Sequence, residues 1–210
     1  MELQILSSST RAQDQHLRAA MFRHRAELFA NRLQWDNLQI TNGEERDDAD
    51  TDPDVEYLVT LDGHELVGSC RMVPMRGRAL LAGPLSHYLD TPVDPAANAW
   101  ELSRFAPATD PADRRHGRSF ALLTSGALEW CLRREVREIY GIGEPKLMGI
   151  VASLGARVTI EGPEIMYAPG KIAFAFKFPV DEATLAQTMS MQGLTSIPHA
   201  RAISVMEDAA

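Results

Sequence analysis

The chain has 210 residues, of which 45% are hydrophobic and 24% are charged, and its formal net charge is −8. This length and hydrophobic fraction are typical of a single soluble domain and exclude a wholly disordered chain. An acidic balance argues against general nucleic-acid binding, and no run approaches the roughly 20 apolar residues that span a bilayer. The charge is local, because eight of the 29 acidic residues and only one of the 21 basic residues lie between Glu44 and Glu56.

The cysteines, the histidines and the N-terminus narrow the class of protein further. Cys70 and Cys131 show no metal-binding or redox spacing, and no His-x-x-x-His motif occurs, so we expect reduced thiols and no metal site. The first ten residues lack the basic and apolar regions of a signal peptide. We therefore expect a cytoplasmic protein that contacts no membrane. The sequence has no Walker A, Gly-x-Gly-x-x-Gly or Gly-x-Ser-x-Gly motif.

Hydrophobic periodicity and turn residues predict a mixture of strands and helices. Apolar residues recur at helical spacing over 12–34 without Gly or Pro, which predicts a helix. The acidic stretch 41–54 is predicted to be a loop, because it contains Asn-Gly and Pro. Asp62-Gly63 between apolar runs predicts a hairpin. The remaining predicted elements are strands at 2–6, 55–61, 65–75, 99–106 and 138–143, helices near 86–89 and at 119–136, 145–154 and 181–192, and two or three strands between 156 and 178.

Hairpin and crossover connections together predict a mixed α/β sheet with helices packed on it. We expect one domain over 1–190, followed by a C-terminal tail at 191–210 of unknown role. About the last 15 residues are expected to be loosely attached, as chain termini often are.

The segment Trp100–Ala106 carries two opposite charges, Glu101 and Arg104, among residues suited to a core. Strict alternation places Glu101, Ser103 and Phe105 on one face of a strand and Arg104 on the other. Burying an unpaired charge is costly. The segment is therefore either an edge strand with solvated charges or a buried, paired site with a perturbed glutamate.

A larger set of residues resembles the LuxI-type acyl-homoserine-lactone synthases. That family has an Arg-x-x-x-Phe run leading to Trp, an Asp-x-x-Asp pair, an Arg in a central strand and a Glu-x-x-Arg strand. This sequence matches the set in order, at Arg25, Phe29, Trp35, Asp47, Asp50, Arg71, Glu101 and Arg104. The resemblance covers about residues 1–180, and its motifs are strong as far as residue 106.

The resemblance implies a fold and a reaction. The fold is a GNAT-like three-layer αβα sandwich, whose V-shaped mixed sheet admits a pantetheine arm. A β-bulge in the strand would turn Glu101 and Arg104 toward one cleft. The reaction makes a quorum-sensing N-acyl-homoserine lactone from S-adenosylmethionine and an acyl thioester, and releases methylthioadenosine. S-adenosylmethionine is then a substrate, no cofactor is tightly bound, and a separate transcriptional regulator reads the product.

The resemblance also implies roles for single residues. Glu101, Arg104 and Arg25 are the expected catalytic residues, with Glu101 either a base, directly or through a water, or a purely electrostatic partner of the amine. Asp47 and Asp50 would face the cationic side of the ligand. The expected S-adenosylmethionine-binding residues are Phe29, Trp35, Asp47, Asp50, Arg71, Ser103 and Phe105.

Two features bear on the acyl donor. Arg114, Arg115 and Arg118 open a helix and suit either coenzyme A phosphates or an acidic acyl carrier protein. The family as a whole favours acyl-ACP, which is the donor we expect, with acyl-CoA as the other possibility. Tyr140 carries the only hydroxyl on the strand where many 3-oxo-acyl members have Thr, which predicts an unsubstituted acyl chain. The expected acyl-pocket residues are Phe120, Leu123, Leu147, Met148 and Val151.

Two other functions remain open at this point. The first is a generic GNAT N-acyltransferase that uses acyl-CoA and an amine other than S-adenosylmethionine, and it gives Asp47, Asp50 and Trp35 no role. The second is a non-catalytic regulator that binds a small molecule and needs no Glu101.

Overall fold

The computed structural model describes residues 1–7, 14–36 and 38–200. Within these residues the predicted succession of strands and helices is present, with small shifts at the ends of elements. In chain order the elements are β1 Glu2–Ser7, α1 Gln15–Arg25, β2 Ile40–Thr41, β3 Glu44–Glu45, β4 Glu56–Asp62, β5 Glu65–Pro74, β6 Ala99–Ala106, α2 Arg114–Arg133, β7 Glu138–Gly143, α3 Pro145–Ser153, β8 Thr159–Ala168, β9 Lys171–Pro179 and α4 Glu182–Met191.

A seven-stranded sheet forms the middle layer, in the order β1-β4-β5-β6-β7-β9-β8. Its neighbouring strands are antiparallel, except that β6 and β7 are parallel. One face packs a buried apolar cluster against α1 and the segment 76–98, and the other packs a second cluster against α2 and α3. This arrangement confirms the predicted three-layer αβα sandwich.

The strands β6 and β7 are paired at only three successive positions, from Ala99–Glu138 to Glu101–Tyr140, and separate beyond them. The sheet therefore opens into the V shape that the resemblance implies. Since β6 is the fourth strand of seven, the edge-strand interpretation of its charges is wrong.

A β-bulge in β6 breaks the alternation of its side chains. Ser103 pairs with Arg71 and Ala106 pairs with Ser69, so two residues of β6, Arg104 and Phe105, lie opposite the single residue Cys70 of β5. Arg104, inside this bulge, has a φ of +49°, in the left-handed region. The bulge moves Arg104 to the α1 face of the sheet, as predicted, and places Phe105 on the α2 face, where strict alternation does not put it.

Two local predictions need correction. The helix predicted over 12–34 is α-helical only to Arg25 and continues as a π-helix over Ala26–Arg32, while residues 12 and 13 lie outside the described residues. The acidic stretch 41–54 is not simply a loop. It contains the β2–β3 hairpin and a 3₁₀ turn at Asp48–Thr51.

The described part of the tail is attached to the domain, which corrects the expected loose attachment. The amide of Leu3 donates to the carbonyl of Pro198 at 2.8 Å, and the amide of Ala200 donates to the carbonyl of Leu3 at 2.8 Å. His199 Nε2 lies 2.6 Å from Glu129 on α2. Residues 198–200 therefore pair with the outer edge of β1, and residues 201–210 lie outside the described residues. Among the described residues, no helix is both long and apolar enough to cross a bilayer.

Candidate active site

Three arginines from separate elements converge on the acidic segment. Arg25 ends α1, Arg71 lies in the middle of β5, and Arg104 lies in the bulge of β6. Their partners are three carboxylates within six residues of one another. We call the set Arg25, Arg71, Arg104, Glu45, Asp47 and Asp50 the ion-pair network.

Arg25 is fully enclosed by this network. Its Nε donates to Glu45 Oε2 at 2.6 Å. Its two terminal nitrogens donate to the two oxygens of Asp50 at 2.8 and 2.9 Å, which is a bidentate pairing. Arg25 is 1% exposed, so it fixes the carboxylates rather than reaching a ligand. We therefore interpret this expected catalytic residue as a positioning residue.

Arg71 ties the acidic segment to the centre of the sheet. One terminal nitrogen lies 2.5 Å from Asp47 Oδ1 and 3.0 Å from Asp50 Oδ1. Its Nε donates to Ser103 Oγ at 3.1 Å. The side chain is completely buried, so Arg71 holds both aspartates and one neighbour on β6 in place.

Arg104 is the most accessible arginine of the network, and its side chain is 12% exposed. It donates to Glu45 Oε1 at 3.0 Å and to Asp47 Oδ2 at 2.9 Å. The rings of Phe29 and Trp35 stack with centroids 4.5 Å apart, and the Arg104 guanidinium lies 5.8 and 5.9 Å from them. The two aromatic rings and the Arg104 guanidinium therefore form one continuous surface.

The charges of the network reinforce one another. Burial alone would raise the pKa of Asp50, but the Arg25 and Arg71 guanidinium groups hold that pKa well below its usual range. Burial would lower the pKa of Arg71, and Asp50 and Asp47 raise it instead. Tyr57 donates a further hydrogen bond to Asp50 at 2.9 Å. Asp50 and Arg71 therefore keep their charges over a wide range of pH.

Asp47 and Asp50 take up their positions through a local motif. The Asp47 carboxylate accepts from the amide of Ala49 at 3.0 Å, and the Asp50 carboxylate accepts from the amide of Asp47 at 2.9 Å. This reciprocal capping box fixes the 3₁₀ turn. Asp47 is 14% exposed and Asp50 only 4%, so Asp47 is the carboxylate that faces outward.

Glu101 lies on the same face of the sheet, below the network. Its Oε2 accepts from the amide of Leu81 at 2.8 Å, and its Oε1 has no hydrogen-bond partner among the described residues. Burial raises the pKa of Glu101, while the Leu81 amide, the Arg71 charge and the nearby Ser103 hydroxyl act in the opposite direction. A buried carboxylate with a raised pKa and an unpaired oxygen is suited to accepting a proton.

An apolar cavity of about 350 Å³ passes through the opening between β6 and β7. It lies between α2, α3 and β7, which is where the sequence placed the acyl pocket. Of the predicted site residues, those that line it are Phe29, Trp35, Ser103, Arg104, Phe105, Phe120, Leu147 and Val151.

Some predicted residues lie elsewhere. Leu123 and Met148 are not among the lining residues and pack in the core cluster beside the cavity. On α2 the lining residues are Phe120, Thr124, Ala127 and Leu128, a helical repeat that leaves Leu123 on the flank. Phe105 contacts the edge of Phe120 with ring centroids 5.3 Å apart, on the α2 side and away from Arg71. It belongs to the apolar wall rather than to the polar site where the sequence placed it.

The sequence interpretation missed Glu45, which is completely buried between Arg25 and Arg104. One signal was available: Asn42-Gly43 is a hairpin turn, and the alternation of the following strand turns Glu44 outward and Glu45 inward. Asp52, in the same acidic segment, is also buried, and it accepts from the amide of Arg78 at 2.6 Å.

The N-terminus of α2 only partly fits the expected phosphate or carrier-protein site. Asp113 caps the helix by accepting from the amide of Arg115 at 2.8 Å, and the Arg115 guanidinium pairs with Asp113 and Glu65. Ser119 is buried and shares a hydrogen bond of 2.8 Å with Thr60. Arg114 and Arg118 remain as exposed cations at this end of the helix.

A three-layer sandwich with a sheet that opens at its centre, and a cavity through the opening, defines a GNAT-like acyltransferase fold. Searches among known proteins agree. The autoinducer synthase family matches residues 8–188 of the chain. An acyl-homoserine-lactone synthase of Rhizobium etli is 31% identical over 160 residues, 75% of each chain. One from Agrobacterium fabrum is 30% identical over 183 residues, 85% of each chain.

Solved structures share the fold. BjaI, a CoA-dependent acyl-homoserine lactone synthase solved with SAM and isopentyl-CoA, superposes with a TM-score of 0.83 at 24% identity, covering 96% of this chain and 95% of its own. The synthase LasI superposes with a TM-score of 0.77 at 18% identity, covering 90% and 94%. The chain therefore belongs to the autoinducer synthase family, the acyltransferases that make acyl-homoserine lactones.

Proposed function

We propose that the chain joins S-adenosylmethionine to an acyl thioester and closes the product to an N-acyl-homoserine lactone. This proposal rests on one observation: a charged site, the ion-pair network, lies directly next to an apolar cavity. The ion-pair network reaches the cavity through Arg104, and the cavity beyond it is lined by apolar side chains. A charged, amino-acid-like substrate and an acyl chain therefore find matching surfaces on either side of one opening.

The polar side suits S-adenosylmethionine, which carries a sulfonium, an α-amine and a carboxylate. The network has three guanidinium groups against three carboxylates, and Glu101 adds a fourth carboxylate beside it. The surplus negative charge complements the net positive ligand. Asp47 would face the cationic groups, Arg104 the carboxylate, and Phe29 with Trp35 would cover the adenosine.

The first chemical step forms an amide. The α-amine nitrogen attacks the thioester carbonyl carbon, the carbon–sulfur bond breaks, and the thiol leaves. An α-amine titrates near pH 7.7–8.0, so a modest base suffices to take its proton. Glu101 is our proposed base, acting directly or through a water, because its Oε1 is unpaired and its pKa is raised.

The second step closes the lactone. The carboxylate oxygen of the acylated substrate attacks its own γ-carbon, and the carbon–sulfur bond to the sulfonium breaks to release methylthioadenosine. The sulfonium is already a good leaving group, so the protein mainly holds the chain folded. We propose that Arg104 orients that carboxylate, because its guanidinium lines the cavity and its hydrogen bonds to Glu45 and Asp47 fix its direction.

The donor is an acyl thioester on either acyl carrier protein or coenzyme A, and we retain acyl carrier protein as the proposed carrier. The exposed Arg114 and Arg118 suit an acidic carrier surface. The hydroxyls of Thr124 and Thr188, which line the cavity, already donate to backbone carbonyls, so neither is free to donate to a 3-oxo group. We propose an unsubstituted acyl chain, a cytoplasmic enzyme and a product read by a separate regulator.

Incubation of the purified chain with S-adenosylmethionine and a pool of acyl thioesters tests the function. Mass detection should find acyl-homoserine lactones together with methylthioadenosine. If neither product forms with any thioester, the function is wrong. Matched acyl-ACP and acyl-CoA donors, compared by kcat/KM, test the carrier, and turnover of the CoA form alone contradicts our choice.

The assignment of the polar side is tested by Asp47→Asn and Asp50→Asn. Asp47 faces outward, so its substitution should raise the KM for S-adenosylmethionine more than the KM for the acyl donor. Asp50 is buried behind it, so its substitution should also lower the free energy of unfolding. Unchanged affinity for S-adenosylmethionine in both variants contradicts the assignment.

A further inference from the structure

A single threonine of α4 lies at one end of the cavity. Thr188 is 2% exposed and lines the cavity together with Leu154 and Phe178. Its Oγ1 donates to the carbonyl of Leu154 at 2.9 Å, which ties α4 to the end of α3. A side chain held at both its backbone and its hydroxyl forms a fixed wall.

This end is the closed one. The cavity opens where β6 and β7 separate, next to Arg104 and Gly143. Phe178 pairs with Ile139 on β7, four residues before Gly143. At that level β7 is still paired with β6, through Trp100 and Ile139. Thr188 donates to the carbonyl of Leu154 at the end of α3, and α3 begins just after Gly143, so Thr188 lies at the end of the cavity away from the reacting groups.

Two elements give the length of the cavity. The five residues of β7 from Ile139 to Gly143 make four steps of about 3.3 Å and span about 13 Å. The nine residues of α2 from Phe120 to Leu128 make eight steps of about 1.5 Å and span about 12 Å. An extended alkyl chain advances roughly 1.25 Å per carbon, given carbon–carbon bonds of about 1.5 Å, so about ten carbons fill this length and about eight fill most of it.

We infer that Thr188 sets the upper limit on acyl-chain length, and that the preferred substrates are saturated acyl groups of about eight to ten carbons. This inference rests on the proposed function, because the cavity must hold the acyl group for its length to matter. A larger side chain at 188 shortens the cavity, and a smaller one extends it toward α4.

The test is a competition assay with S-adenosylmethionine and an equimolar series of saturated acyl thioesters from butanoyl to tetradecanoyl, on both carriers. Octanoyl and decanoyl products should dominate. Thr188→Leu should lower kcat/KM for decanoyl relative to hexanoyl at least about tenfold, the scale of one misfitted methylene. Thr188→Ala should raise dodecanoyl relative to octanoyl turnover.

Two controls separate selectivity from structure. Thr188→Val removes the hydroxyl but keeps the branched shape, and should keep the wild-type chain-length profile. Thr184→Ala changes the other buried threonine of α4, which does not line the cavity, and should also keep the profile. The comparison does not require the variants to be equally stable, because the chain-length profile is a ratio of rates measured within one protein.

The outcomes distinguish the two levels of proposal. Lactone formation with the same chain-length profile in wild type, Thr188→Leu and Thr188→Ala overturns this inference and leaves the proposed function intact. A uniform loss of rate for all thioesters also overturns it, since that is a structural effect. Absence of lactone from the folded wild-type chain with every thioester contradicts the proposed function itself.

Discussion

Arg104 and Glu45 are joined across 59 residues of sequence by a hydrogen bond of 3.0 Å between the guanidinium and Oε1. The other oxygen of Glu45 accepts from Arg25 at 2.6 Å. Glu45 thus bridges the arginine that lines the cavity to one that is fully buried. Because Arg104 donates to Glu45, the acidic segment determines the direction in which the Arg104 side chain points.

Glu45→Gln should therefore be costly. It leaves two buried guanidinium groups short of one negative charge, and breaking a buried pair costs about 3–5 kcal/mol of the free energy of unfolding. Because Arg104 loses its fixed direction, the KM for S-adenosylmethionine should rise as well. Urea unfolding and steady-state kinetics check the two effects.

Glu44→Gln is the matched control for this change. Glu44 is the neighbouring residue, 18% exposed, and pairs with Arg23 and Arg46 on the surface. Such pairs contribute up to about 1 kcal/mol. Equal losses of stability in the two variants would contradict the special role of Glu45.

Glu101→Gln should lose activity and gain relative stability. As a proposed base, Glu101 contributes at least about 100-fold to kcat. Burial raises its pKa, so between its ordinary pKa and its pKa in the folded protein the unfolded chain releases this proton first, and wild-type stability falls as pH rises. The Gln variant escapes that loss, and its oxygen can still accept from the amide of Leu81.

Unfolding of both proteins from pH 4 to pH 8, together with kcat at each pH, measures this prediction. The stability of the Gln variant relative to wild type should grow as pH rises and then level off. Full retention of kcat would exclude Glu101 as the base. A variant that is less stable at every pH would show instead that Arg71 more than compensates the buried charge.

Most elements were predictable because their signals are local. Strands and helices are indicated by apolar periodicity, by the Asp62-Gly63 turn and by prolines. Each of these signals acts on residues close to it in the sequence. The placement of Glu101 and Arg104 on one face of the sheet was predictable only through the family resemblance. The bulge that produces it depends on pairing with β5, more than 30 residues away.

The acidic segment shows where prediction from local sequence ends. Glu44 and Glu45 are adjacent and chemically alike, yet one pairs on the surface and the other is completely buried. The difference comes from Arg25 and Arg104, which the fold brings from opposite sides of the segment. Alternation after the Asn42-Gly43 turn indicates which of the two glutamates points inward, but the complete burial of its carboxylate depends on these distant partners.

His24 should control part of the acid stability of the domain. Its ring nitrogens are buried, and burial lowers its pKa from 6.5 to about 4 against the opposing effects of Val67 and Glu27. Below pH 6.5 the unfolded chain binds a proton that the folded chain does not, so stability falls until the pH reaches about 4. The shift corresponds to about 3 kcal/mol.

His24→Leu should remove this part of the pH dependence, which urea unfolding at several values between pH 4 and pH 7 measures. The control is His64→Gln, in the exposed turn after β4, which should lose stability between pH 7 and pH 4 as the wild type does. An unchanged slope in His24→Leu would show that other groups cause the acid loss.

Gly162→Ala tests how the segment that holds Glu101 is supported. A Cβ at 162 would lie 1.9 Å from the carbonyl oxygen of Tyr88, which is backbone and cannot rotate away. Nearby, the amide of Asp90 donates to the carbonyl of Glu161 at 2.8 Å. The methyl group therefore pushes the segment 80–90 away from β8.

The same segment supplies the Leu81 amide to Glu101, so the displacement should lower kcat as well as stability. Overpacking of this kind costs about 1–3 kcal/mol. Gly149→Ala on α3 is the control, because its Cβ meets no atom within 4 Å and a helical alanine gains about 0.5–1 kcal/mol over glycine. Thermal unfolding and kcat of both variants decide the matter. If Gly162→Ala is as stable and active as Gly149→Ala, the packing of Tyr88 on β8 does not hold Glu101 in place.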